Sequence, residues 1–217
     1  MDFVAELRRV PLRLLGGRGH YQAVIERVMA AERSVWIATA NLKELMVEDP
    51  RARPGRRRTL RRGGGAYRSI LAVFEEHVAR GVEIRLLHAG EPSRPFRAEL
   101  ARRPGLKTTP QGPGSFEMRQ CPRVHFKAVV IDGAQLYLGS ANWTGAGLGA
   151  KGEGRRNFEL GFVTADDLLL DQVQSLYEEV WRGARCAGCR LRQDCPRPLD
   201  RPLDHGPVVR DVRRRKS

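Results

Sequence analysis

Two short apolar runs, SVWIAT at residues 34–39 and VEIRLL at residues 82–87, flank an amphipathic stretch over 66–80 that Gly81 brings to a close. Six-residue runs rich in β-branched side chains suit strands buried on both faces, and the 3.6-residue spacing between them suits a helix. Strand, helix and strand in that order pack most readily with the two strands parallel and the helix crossing over them. The chain is therefore expected to be an α/β protein: a central mixed, largely parallel β-sheet flanked by helices. A helix over 21–31 precedes the first strand, and a short one is expected around 96–102 within the Pro- and Gly-rich sequence 90–114. Downstream, residues 124–131 and 135–138 predict two strands joined at Asp132 and Gly133, residues 158–163 a further strand, and residues 166–181 a helix with acidic residues at its start.

A chain of 217 residues supports one domain with a sizeable core, here residues 1–182, with a basic loop at 49–65 inserted in it. Residues 183–217 form a Cys-rich, basic C-terminal appendage. Lys and Arg number 39 against 25 Asp and Glu, a formal net charge of +14. Such a field attracts polyanions, and either a nucleic acid or an anionic membrane surface answers it. The opening residues hold no apolar core of signal-peptide length, and no later stretch reaches the roughly 18 apolar residues of a membrane span. The expectation is a soluble, cytoplasmic protein without stable membrane insertion.

One segment, VHFKAVVIDGAQLYLGSANWT, carries most of the chemistry. His125, Lys127 and Asp132 stand in the pattern H-x-K-x4-D, followed by Gly139, Ser140 and Asn142 as G-S-x-N. On a strand His125 and Lys127 share a face. An imidazole beside an ammonium offers a phosphodiester both a nucleophile and a fixed cation for the charge that develops on phosphate oxygens. Gly139 would let a phosphate approach the backbone, with the Ser140 hydroxyl and Asn142 amide as short donors to its oxygens. No internal repeat is visible, so the motif occurs once per chain.

This segment resembles the HKD signature of the phospholipase D superfamily, and Asn157 and Glu159 (NFELG) are similar to the N-x-E that follows it in the nuclease-like branch. The resemblance implies a phospholipase D-like sandwich and a phosphodiesterase. It makes His125 a nucleophile that forms a phosphohistidine, and Lys127, Ser140 and Asn142 phosphate ligands. Glu159 would orient an imidazole of its own or the partner subunit, and Asp132 would support the site without taking direct part. Single-motif relatives resemble half-sites, which implies a homodimer in which His125 attacks while His125 of the partner subunit protonates the leaving group. The resemblance requires no catalytic metal, so hydrolysis should survive EDTA unless the chelator damages a cysteine site.

Three of four cysteines are spaced C-x2-C-x5-C at Cys186, Cys189 and Cys195, suited to a structural zinc or a [4Fe–4S] cluster, with Cys121 or His205 as fourth ligand. Arg56, Arg57, Arg58, Arg61 and Arg62, with Arg155 and Arg156, are candidates for a nucleic-acid backbone, and Trp143 for stacking on a base or packing beside the scissile phosphate, with a place in the core or an interface as the equal alternative. The leading expectation is a nuclease acting on DNA or RNA. A phospholipase or phosphatidyltransferase, and a nucleic-acid-binding protein with an idle site, are the alternatives.

Overall fold

The computed structural model describes residues 4–49, 51, 67–107, 113–195 and 197–201. Along the chain run β1 (Arg13–Gly16), α1 (Glu26–Met29), β2 (Ser34–Thr39), β3 (Met46–Glu48), β4 (Tyr67–Ser69), α2 (Ile70–Ala79), β5 (Glu83–His88), α3 (Arg94–Ala101), β6 (Ser115–Gln120), β7 (Lys127–Ile131), β8 (Gln135–Gly139), β9 (Leu160–Thr164) and α4 (Asp167–Trp181). A π-helical turn over Tyr21–Ile25 leads directly into α1.

Seven strands form one sheet in the order β1-β9-β8-β7-β2-β5-β6. The apolar runs that predict parallel strands do so correctly: β2 and β5 pair parallel with α2 between them, and β6 adds parallel to β5. The sheet is not largely parallel, however. Its other four pairings, β2·β7, β7·β8, β8·β9 and β9·β1, are antiparallel. The cause is local, because the β7–β8 connection is a tight hairpin that can only return the chain antiparallel. Asp132 and Gly133 both take positive φ, 56° and 64°, and Ala134 N donates to Ile131 O at 3.0 Å, the backbone of a primed hairpin turn.

Ser69 starts α2, its Oγ accepting from Leu71 N at 3.0 Å. The residues just before it, expected as helix, form β4 and pair antiparallel with β3. Strand β6 was not legible in the sequence, since Glu117, Arg119 and Gln120 break up its apolar pattern on the sheet's edge.

Alternation along β7 divides the core. Val129 and Ile131 join a layer with Val28, Ile37, Ile70, Phe74 and Leu86, while Ala128 and Val130 join a second with Leu136, Leu170, Val173, Tyr177 and Trp181. Each such apolar side chain contributes about 1.5–3 kcal/mol on burial, so both faces of β7 hold it in register. Gly183, at φ 72°, turns the chain out of α4, and Leu199 and Cys186 then pack back on the second layer beside Trp181. Among the described residues no helix is long and apolar enough to cross a membrane.

Candidate active site

Strand register gathers the motif residues at one end of the sheet. Lys127 lies opposite Gly139, Gly139 opposite Gly161, and Ala38 opposite Ala128, which sets Thr39 beside Lys127. The start of β7, the end of β8, the start of β9 and the end of β2 therefore share one rim, as do the ends of the parallel strands β5 and β6. Carboxyl ends of parallel strands are where open α/β sheets place their ligands.

His125 is exposed and stands just ahead of β7, not within it, so the shared-face argument for His125 and Lys127 needs correction. They are nevertheless adjacent. Lys127 Nζ donates to His125 O at 2.7 Å and lies 3.3 and 3.4 Å from Nδ1 and Nε2 of the ring. Folding the Lys127 side chain back onto the preceding loop achieves what a common strand face would have done.

Asn142 is oriented by β2: Asn41 N donates to its Oδ1 at 3.0 Å, and Thr39 Oγ1 lies 3.4 Å from the same atom. Thr39 in turn accepts from Trp143 N at 2.9 Å. With its oxygen engaged, the Asn142 amide nitrogen is left to donate outward. Ser140 Oγ donates to Glu159 Oε2 and accepts from Leu160 N at 3.1 Å, while Asn157 Nδ2 donates to Glu159 Oε1 at 3.0 Å. Ser140, Asn157 and Glu159 are thus one hydrogen-bonded group. Among the described residues no hydrogen bond joins it to His125.

A cleft of about 210 Å³ opens alongside, lined by Asn41, Lys43, Asn142, Lys151 and Asn157 among others. Lys43 and Lys151 could hold further phosphates there, and nothing in their sequence neighbourhood marks them. A wider hollow of about 630 Å³ runs along α4, but Asp171, Glu178 and Glu179 line it, which suits no polyanion.

Three motif residues serve other ends than the spacing suggests. Asp132 sits at the far end of β7, about 17 Å from Lys127 at ~3.3 Å per residue. Its carboxylate accepts from the amides of Glu32, Arg33 and Ser34 at 2.7–3.1 Å. Burial pushes this carboxyl up, and those three donors outweigh it and hold it below the usual carboxylate range. It is a structural anchor and not a catalytic residue. Gly139 is glycine for packing: a Cβ there would lie 2.7 Å from both Leu160 O and Gly161 Cα and would strike the Tyr137 hydroxyl, so its bare backbone faces protein and not phosphate. Trp143 is 2% exposed and stacks on Phe74 at 6.1 Å, which selects the core role over base stacking.

Arg155 ends a short 3-10 turn and Arg156 follows it, close before Asn157 and Glu159, so both lie beside the rim. Arg56, Arg57, Arg58, Arg61, Arg62 and His205 lie outside the described residues. Beneath Glu159 are two residues the sequence did not flag. His20 is fully buried, its Nδ1 3.3 Å from Gly17 O and its ring edge-on to Tyr137 at 5.7 Å. Burial pushes His20 down and the Tyr137 hydroxyl up. A lone histidine ahead of a helix and a tyrosine in an apolar strand give no signal of this contact.

The four cysteines converge. Cys121, in the turn after β6, and Cys186, Cys189 and Cys195, beyond α4, line one small cavity with Arg123, Arg192 and Leu199. All four are free thiols, each half-buried. Burial pushes the Cys121 thiol up, and the nearby charges that add to the rise are those of Cys186, Cys195 and Cys189. Among the described residues no three His, Cys, Asp or Glu side chains are gathered tightly enough to hold an ion as they stand.

Comparison with known proteins agrees with this geometry. In three dimensions the chain is similar to NucT from Helicobacter pylori, with a TM-score of 0.50 and 14% identity over 79% of this chain and 95% of that one. It is similar to the same extent, by each of these measures, to Nuc from Salmonella typhimurium, a phospholipase D family member. No curated protein matches the chain in sequence. A family model described as cardiolipin synthase, PLD-like domain, matches residues 24–181, from the helix before β2 to the last residue of α4. With six of the seven sheet strands, most of both core layers and the rim residues inside that span, the chain belongs to the phospholipase D-like family.

Proposed function

We propose that the chain is a phosphodiesterase that cleaves DNA or RNA through a phosphohistidine on His125, in a site completed by a second copy of itself. The observation that carries this reading is the exposed His125 imidazole with Lys127 Nζ 3.3–3.4 Å from its nitrogens, on the rim that also bears Ser140, Asn142 and Glu159. An imidazole nitrogen attacks phosphorus, the bond from phosphorus to the leaving oxygen breaks, and Lys127 and Asn142 hold the non-bridging oxygens; Ser140, read from the sequence as a third phosphate ligand, has its one proton committed to Glu159 and holds that carboxylate in place instead. The leaving oxygen needs a proton, and one imidazole cannot attack and protonate at once. His125 of the partner subunit would supply it, then take a proton from the water that releases the phosphohistidine.

Two features support the second copy. The Ser140–Asn157–Glu159 group makes no hydrogen bond to His125 of its own chain, which leaves Glu159 for an imidazole across the interface. Around it is an apolar surface that no described residue covers: Phe158 is fully exposed, Leu160 65% and Leu14 69%. Such a cluster beside a half-site suits a two-fold contact. The +14 charge, the cleft lysines Lys43 and Lys151, and Arg155 and Arg156 beside the rim favour a polyanionic substrate.

A lipid phosphodiester is the second reading, favoured by the family's description as cardiolipin synthase. Purified protein assayed in EDTA against single- and double-stranded DNA and RNA, and against anionic phospholipid vesicles, separates the two. Cleavage of a nucleic acid is the expected result; turnover of lipid alone moves the assignment to a phospholipase or phosphatidyltransferase. Light scattering should give twice the chain mass, and an active monomer would end the two-copy mechanism.

A further inference from the structure

The cysteine cavity lies outside everything the phosphodiesterase chemistry uses, yet it touches the segment that delivers His125. Cys121 N donates to His88 O at 2.9 Å at the end of β5, and Val124 N donates to Cys121 O at 3.0 Å, closing a turn whose next residue is His125. On the opposite wall Cys186 and Cys189 belong to one turn, with Cys189 N donating to Cys186 O at 3.2 Å, and Cys195 follows in the next. Residues more than sixty positions apart are brought to one point by the packing of Leu199 and Cys186 beside Trp181.

Four thiols around one cavity have few uses other than soft-metal ligation or disulfides, and no disulfide joins any two of these four. One cation is placed to offset part of the charge that four thiolates would carry: Arg123 Nη1 is 3.9 Å from Cys189 Sγ, whereas Arg192 is already paired with Asp200 at 2.7 Å. Both arginines line the cavity.

We propose that Cys121, Cys186, Cys189 and Cys195 are the four thiolate ligands of one soft-metal centre, which ties the segment after α4 to the turn that carries His125. Ligation releases the four thiol protons, and the donor set suits either a single zinc ion or an iron–sulfur cluster. The four thiols share a cavity without being drawn tightly enough for one ion, so a single ion requires their side chains to rotate inward, whereas a cluster of several metals spans a wider set. Binding there fixes the 121–124 turn and so the approach of His125 to substrate, a consequence that rests on His125 being the nucleophile. The metal content does not rest on it.

The test uses the full chain purified without oxygen. Elemental analysis, acid-labile sulfide and thiol alkylation are expected to find one centre per chain, either zinc alone or iron with sulfide and an absorbance band near about 400 nm. In both cases all four thiols should resist alkylation until the protein is denatured. Cys121→Ser should lower metal content at least about tenfold, and Cys189→His, which keeps a donor, should retain more of it than Cys189→Ser. A folded, metal-free chain with four freely alkylated thiols overturns the proposal, as does a disulfide between any two. Full metal content in Cys121→Ser overturns the tie to the His125 turn. None of these readings needs a substrate, so they stand or fall apart from the phosphodiesterase assignment.

Discussion

The two ends of strand β7 are built to opposite purposes. At one end His125 is exposed, and among the described residues its ring is in hydrogen-bond reach of Lys127 alone. At the other, Asp132 has its carboxylate filled by three backbone amides and its main chain in a positive-φ turn. An unfilled polar group at a rim is available to a ligand; a filled one has spent its capacity on the fold. Residues of one short motif can therefore divide into chemistry and architecture according to which end of a strand they occupy.

The division can be broken by mutation. His125→Ala should reduce turnover by at least about a thousandfold while nucleic-acid binding, read by gel shift, is kept. Comparable activity in that variant would remove His125 from the mechanism. Asp132→Ala should do the reverse: it strips the acceptor from three amides, costs about 2 kcal/mol and lowers the melting temperature by about 4–8 °C. Activity below that temperature should survive, and a folded but inactive Asp132→Ala would give Asp132 a part in the chemistry.

Smaller effects sharpen the same contrast. Lys43→Ala and Lys151→Ala should each weaken binding across all sequences and reduce the salt dependence by about one phosphate contact. Buried imidazoles offer a further comparison with the exposed His125. His77 is held between Val28 O, 2.8 Å from Nε2, and Arg80 Nη2, which donates to Nδ1 at 2.7 Å. Burial holds His77, His88 and His20 below the ordinary histidine range. Each is neutral in the fold, whereas an unfolded histidine takes up a proton near pH ~6.5. The unfolded state then binds more protons, so stability is complete above that pH and declines as the solution is acidified through the folded values. The melting temperature should fall between pH 7 and pH 5, and fall less in His77→Gln; a flat profile would show that these rings stay solvated.

Much of this was legible in residue order. The run at 34–39 coincides with β2, the run at 82–87 lies one residue from β5, and Asp166 caps α4 through Leu169 N at 2.9 Å, as acidic residues at a helix start should. Positions flanking a strand were less so. His125 and Glu159 fall just outside β7 and β9, because apolar periodicity locates a strand but not its last hydrogen bond. Edge strands such as β6, half exposed, dilute the alternation that identifies them.

Sequence by itself determined the parallel β2·β5 unit, the β7–β8 hairpin and the H-x-K and G-S-x-N residues, because propensity, turn chemistry and short spacings act between neighbours. Tertiary structure alone decided the three antiparallel pairings other than β7·β8, the burial of Trp143, the separation of Asp132 from the rim, and the meeting of Cys121 with Cys186, Cys189 and Cys195. Those outcomes depend on which surfaces the chain buries against each other beyond the reach of neighbouring residues, and no local pattern encodes that choice.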